Sequence, residues 1–283
     1  MEVLINELSL NGQFLSKHKF LDNLQNILHI IKLIEKLEFN LLKHHSLYSS
    51  QITMSETFIQ ITQSRDDRIR KLKSSLLKLS DQPPFWNETQ RHNCHDSYTY
   101  NTNNICNTSL AESCERDKMI LSFIHSDFSQ VDLLVQKNNT NIDIYNIIDK
   151  DQFLEYLLSN SQIEPLTYCQ LKFENSNLNF SKIENRYEFD SLVTQEQIEA
   201  FILAFDGFSK MSWEDIIKSD SLEYKQYSKP KKKKKGWFRD GLYKNTDIYK
   251  FRVTQTYRCF GYREKDKFFV LRFEIDHKIS DKG

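Results

Sequence analysis

Hydrophobic and polar positions alternate most cleanly over residues 249–277, YKFRVTQTYRCFGYREKDKFFVLRFEIDH. Tyr249, Phe251, Val253, Tyr257 and Cys259 fall on one face, and Arg252, Thr254, Thr256 and Arg258 on the other. That two-residue period is the pattern of a half-buried strand. The charged run Arg263-Glu264-Lys265-Asp266-Lys267 predicts a turn. The returning limb sets Phe269, Leu271, Phe273 and Ile275 against Arg272, Glu274 and Asp276, and His277 ends it. The pattern predicts a hairpin with one apolar face and one face bearing arginines, which an ordinary sheet with a solvated side would also show.

Elsewhere the periods change. Residues 2–10 alternate in part and predict a first strand, broken by Gly12. Apolar residues at helical spacing over Phe20–Phe39 predict an amphipathic helix. A second helix is expected from about Glu56 to Ser80, stopped by Asp81-Gln82-Pro83-Pro84 because proline disfavours helix before it and cannot donate. Asn87 to Asn107 reads as a polar loop anchored by Phe85 and Trp86. Ser109-Leu110-Ala111-Glu112 has capping-box form and opens a helix. Residues 130–148 predict two strands around an Asn-rich turn, residues 152–158 a helix and residues 168–173 a strand. Thr194-Gln195-Glu196-Gln197 is a second capping box before a helix at 198–205, and Ser212 caps a short helix through Lys218. The expected class is α+β: a mixed helix/strand N-terminal part, residues 1–228, and a basic antiparallel β-rich module, residues 229–283.

Composition sharpens this division. The chain has 39 Lys and Arg and 39 Asp and Glu. From Lys229 onward there are 17 basic residues against 7 acidic, which leaves 22 against 32 before it. A surplus of ten positive charges at one end points to a polyanionic partner, or to attraction between the two parts. No run of eighteen apolar residues occurs, so no membrane partner is expected. The N-terminus carries acids and lacks the basic start of a secretory signal. Five cysteines at irregular spacing do not suggest a disulfide framework, and the cytoplasm is the expected location.

The six glycines, at 12, 207, 236, 241, 261 and 283, are too scattered for a phosphate-cradling loop or a nucleophile elbow. No nucleotide or other organic cofactor is expected. His92-x-Cys94-His95 with Cys106 and Cys114 downstream holds enough nitrogen and sulfur donors for a zinc site, although the spacing also suits a polar loop with incidental cysteines. Asp206, Glu223 and Lys225 form a D…E-x-K pattern, as in metal-dependent nucleases. The tract Lys231, Lys232, Lys233, Lys234 and Lys235 is either a solvated connector or a nucleic-acid contact. Trp237 and Arg239 beside it, and the arginine face with Arg272 after it, favour the contact: lysines release counterions and aromatic rings stack on unpaired bases.

The order Tyr249-Lys-Phe-Arg252-Val-Thr-Gln-Thr-Tyr257-Arg258-Cys-Phe-Gly-Tyr262, then Phe269-Val-Leu-Arg272-Phe and Asp276-His277-Lys278, resembles the C-terminal sheet of RelE/ParE-like toxins over about the last 50 residues. The resemblance implies a ribonuclease that works without metal. Arg252 and Arg258 would be phosphate or structural arginines, and His277 with Tyr262 the acid and base. In that family a pair of helices precedes the sheet, whereas here the lysine tract stands in that place. ELSLNGQF near the start and PPFW in the middle resemble uncharacterised bacterial proteins of defence islands. The reading is a toxin-like, RNA-directed nuclease effector of an antiphage or toxin–antitoxin system, with nucleic acid and a protein partner or antitoxin as partners. Its alternatives are a non-catalytic sensor or adaptor subunit of a defence complex, and the metal-dependent nuclease.

Overall fold

Three buried residues in a row, Val3, Leu4 and Ile5, start the first sheet of a computed structural model that describes residues 1–227, 237–238, 241–243 and 245–279. They form β1 (Glu2–Ile5). α1 (Lys17–Lys36) follows, opened by Ser16, whose hydroxyl accepts the Lys19 N–H. It buries Phe20, Leu24, Ile27, Ile31 and Ile34 along one stripe and returns the chain to β2 (Asn40–Leu42), parallel to β1. Then come α2 (Phe58–Thr62), α3 (Asp67–Ser80), β3 (Tyr98–Tyr100), β4 (Asn103–Asn104), α4 (Ser109–Ser113), β5 (Met119–Leu121), β6 (Asp132–Lys137) and β7 (Thr140–Ile147). The seven strands lie in the order β2-β1-β5-β7-β6-β3-β4, parallel through β7 and antiparallel beyond it.

The chain divides into two compact units, Met1–Phe153 and Leu154–Gly283, and α5 (Lys150–Ser159) contains the division. The second unit holds α6 (Pro165–Lys172), β8 (Leu178–Asn179), α7 (Gln195–Ser209), α8 (Trp213–Lys218), β9 (Lys225–Gln226), β10 (Tyr249–Arg252), β11 (Arg258–Glu264) and β12 (Lys267–Glu274). Its sheet runs β8-β12-β11-β10-β9, with β8 parallel to β12 and the other pairs antiparallel. One face takes Phe251, Phe268 and Phe273, and α7 covers it with Phe201, Phe205 and Phe208 at centroid spacings from 4.2 to 6.2 Å. On the other face Phe260 packs against Tyr227, Trp237 and Phe238.

The expected α+β class holds, with eight helices and two mixed sheets among the described residues. The compact units divide near residue 153, although the charge changes at 229, because an apolar sheet face must be covered and α7 is what covers it. The long hairpin is three strands: the chain turns between Arg252 and Arg258, and a bulge at Phe260/Gly261 shifts the register on β12. That bulge moves Val270 and Phe268 to the helix-covered side and leaves Phe269 beside Tyr262. The expected helix at 56–80 is two helices, because Asp66 accepts the Arg68 N–H and starts α3 afresh. Residues 168–173 fall in α6 and its end rather than in a strand. Pro165 at its start pre-sets the helical φ, and burial at Tyr168, Cys169 and Phe173 follows the helical period. Among the described residues no helix is long and apolar enough to cross a membrane.

Candidate nucleic-acid interface

Strand register decides which of the expected site residues meet. Arg252 on β10 is the cross-strand partner of Arg258 on β11, and Arg258 in turn faces Glu274 on β12. Two arginines side by side require a counter-charge. Glu223, just ahead of β9, supplies it: one oxygen lies 2.5 Å from the Arg252 guanidinium, the other 3.9 Å from Arg258 and 3.7 Å from Lys225. Burial pushes the Glu223 carboxyl up, but Lys225, Arg252 and Arg258 outweigh it and hold the group below its ordinary value. Arg258 is buried and donates to the carbonyls of Thr254, Gln255 and Tyr257 at 2.8 to 3.1 Å. Arg252 is the more accessible of the pair, with about a third of its side chain exposed (35%).

His277 follows the end of β12 in a left-handed conformation, φ 56°, and the Ile279 N–H returns to the Glu274 carboxylate. Arg252, Arg258 and His277 therefore belong to the same end of the sheet. Tyr262 does not join them. It is paired with Phe269, against whose ring it stacks at 5.0 Å, and Phe269 is five residues before Glu274, roughly 16 Å along a strand.

Arg272 is held on all sides. Its Nε and one terminal nitrogen donate to the two Glu184 oxygens at 2.7 and 2.8 Å, and the other to the Trp237 carbonyl. The guanidinium lies 4.7 Å from the Tyr187 ring centre and 4.5 Å from that of Phe238. Trp237 is half-buried, in ring contact with Tyr187, Phe238 and Phe260. Lys231 to Lys235 and Arg239 lie outside the described residues. Of the D…E-x-K set, Asp206 pairs with Lys210 and approaches Lys172 at 4.0 Å, while Glu223 serves Arg252.

In the first unit, the donor atoms of His92, Cys94 and Cys106 lie within 4.8 Å of one another, and His95 is not among them. Cys94 and Cys106 form a disulfide, Cα atoms 5.8 Å apart, a pairing that the irregular spacing concealed. Cys114, Cys169 and Cys259 are buried thiols.

The residues that sequence reasoning missed are the carboxylates. Glu184 is one of 39 acids with no pattern around it, Glu223 stands out only as part of the D…E-x-K pattern, and nothing in their spacing ties them to arginines 88 and 29 positions away. No family model matches the chain, and no curated protein or solved structure is significantly similar to it.

Proposed function

We propose that the chain is a toxin-like, RNA-directed nuclease effector of a bacterial defence or toxin–antitoxin system, working without metal through its second unit. The observation that carries this reading is the order of elements ahead of the arginine-bearing sheet. A strand, two helices and then the sheet follow one another, β8-α7-α8-β9 to β12, with β8 parallel to the last strand. Two helices, α7 and α8, lie before the lysine tract, and a helical pair ahead of the sheet is what the RelE/ParE resemblance implies, which supports this reading. In this reading Arg252 meets the phosphate, Arg258 and Arg272 brace the sheet, and His277 moves the proton. Tyr262 contributes at the opposite end of the sheet by packing.

The carboxylates on Arg252 and Arg272 favour a second reading, a non-catalytic adaptor whose arginines hold the fold. RNA and DNA fragments incubated with the full chain separate the two. Cleavage of RNA with DNA left intact is the expected result, and binding of RNA without any cleavage would overturn the nuclease in favour of the adaptor.

A further inference from the structure

We infer that His92, Cys94 and Cys106 form a site for a thiophilic divalent cation such as Zn²⁺, filled when the Cys94–Cys106 pair is reduced. The site lies in the first unit, and the proposed nuclease residues belong to the second. Its donors come from the loop before β3 and the loop that leads into α4.

His92 carries the argument. Its ring is fully buried, edge-on to Trp86 at 5.3 Å and to Tyr98 at 5.9 Å, so its orientation is fixed. The backbone N–H of Asn107 points at Nε2 from 3.2 Å, so Nε2 is an acceptor and the ring proton sits on Nδ1. Nδ1 then donates to Glu112 Oε2 at 2.6 Å. Glu112 also takes the backbone N–H groups of Arg91 and His92 and, at 2.5 Å, the Nε of Arg116. A buried carboxylate that fixes a histidine tautomer is the supporting shell of a metal-ligating histidine, and a cation at the other nitrogen takes the place of the Asn107 N–H, with the Gln90 amide 3.4 Å away. One nitrogen and two sulfurs within 4.8 Å of each other supply three positions of a tetrahedron. Cys94 is exposed, and Asn107 Oδ1 lies 3.1 Å from its sulfur, so the fourth position is open to water or that amide oxygen.

The two states exclude each other. A thiol reductant gives two electrons and two protons and becomes a disulfide, whereas a phosphine gives the two electrons and water the two protons, its oxygen leaving as phosphine oxide; either converts the disulfide into two thiols. Binding of the cation then releases those two protons to solvent as the thiolates ligate. The Glu112 shell around Nδ1 is the same in both states, because neither sulfur takes part in it, and the Asn107 N–H at Nε2 is what the cation displaces.

The test uses the full chain, reduced with a phosphine and titrated with Co²⁺ or Zn²⁺. One equivalent should bind, Co²⁺ should give a thiolate charge-transfer band, and Zn²⁺ should protect Cys94 and Cys106 from alkylation. Cys106→Ser should weaken binding by at least about 100-fold, and Glu112→Gln by roughly 10- to 100-fold. His95→Ala should change nothing. The alkylation readout needs no variant, and it reports on Cys94 and Cys106 because the other three thiols are buried. Reduced wild type that takes up no cation while both thiols alkylate freely would overturn the proposal, leaving only a structural or exchange-active disulfide. A charge-transfer band that survives in the Cys94→Ser/Cys106→Ser double variant would also overturn it.

Discussion

Glu112 is completely buried, and four donors meet its two oxygens: the N–H groups of Arg91 and His92, the His92 ring and the Arg116 side chain. Burial pushes its carboxyl up, yet these hydrogen bonds win and hold it below the ordinary value. Removing it takes one of two carboxylates from buried Arg116 and leaves two backbone N–H groups and the His92 ring without their acceptor, so Glu112→Ala should cost about 3–5 kcal/mol in chemical denaturation. In the sequence Glu112 shows only as the end of a capping-box pattern; its pairing with Arg116 and the burial of both were hidden, because they depend on Glu2 and Thr89 closing around Arg116. Lys43 poses the opposite problem. Burial, helped by the like charge of Lys78, lowers it to about 8 from 10.5. Below about 8 both folded and unfolded chains hold the proton, and the folded state bears the buried charge. Between about 8 and 10.5 only the unfolded chain holds it, so folding gains stability as pH rises. The melting temperature of the wild type relative to Lys43→Met should therefore rise from about pH 7 to about pH 10. An unchanged difference would refute this.

At the scale of elements, periodicity located what is amphipathic and capped. The stripe of α1, the Thr194 capping box of α7 and the Ser212 cap of α8 were all readable. What periodicity could not supply was which elements share a sheet. β8 is two residues long, and the lysine tract separates α7 and α8 from the strands that α7 covers. The bulge at Gly261 was equally hidden. A Cβ there would lie 2.2 Å from the Phe269 carbonyl oxygen and 2.7 Å from the Phe268 ring, so only glycine lets β11 and β12 approach. Gly261→Ala should destabilise by roughly 1–3 kcal/mol or more, read as a lower denaturation midpoint. A fragment beginning at residue 229 lacks Phe201, Phe205 and Phe208 and so exposes Phe251, Phe268 and Phe273. It should show no cooperative thermal transition by circular dichroism, and a sharp transition would contradict the packing described.

At the scale of the molecule, zero net charge conceals a basic end with ten surplus positive charges. If that end meets RNA phosphates, replacing Lys231 to Lys235 with serine should flatten the salt dependence of binding. The log–log slope should fall by up to about 0.7 for each phosphate that is no longer neutralised. An unchanged slope would make the tract a connector. The decisive measurement is RNA cleavage by the full chain in excess EDTA, beside a His277→Ala variant shown to be folded. Wild-type cleavage should persist without metal, and the variant should cut on the order of 100-fold more slowly while binding RNA equally well. Cleavage that stops in EDTA and returns with Mg²⁺, or undiminished cleavage by the variant, would contradict this.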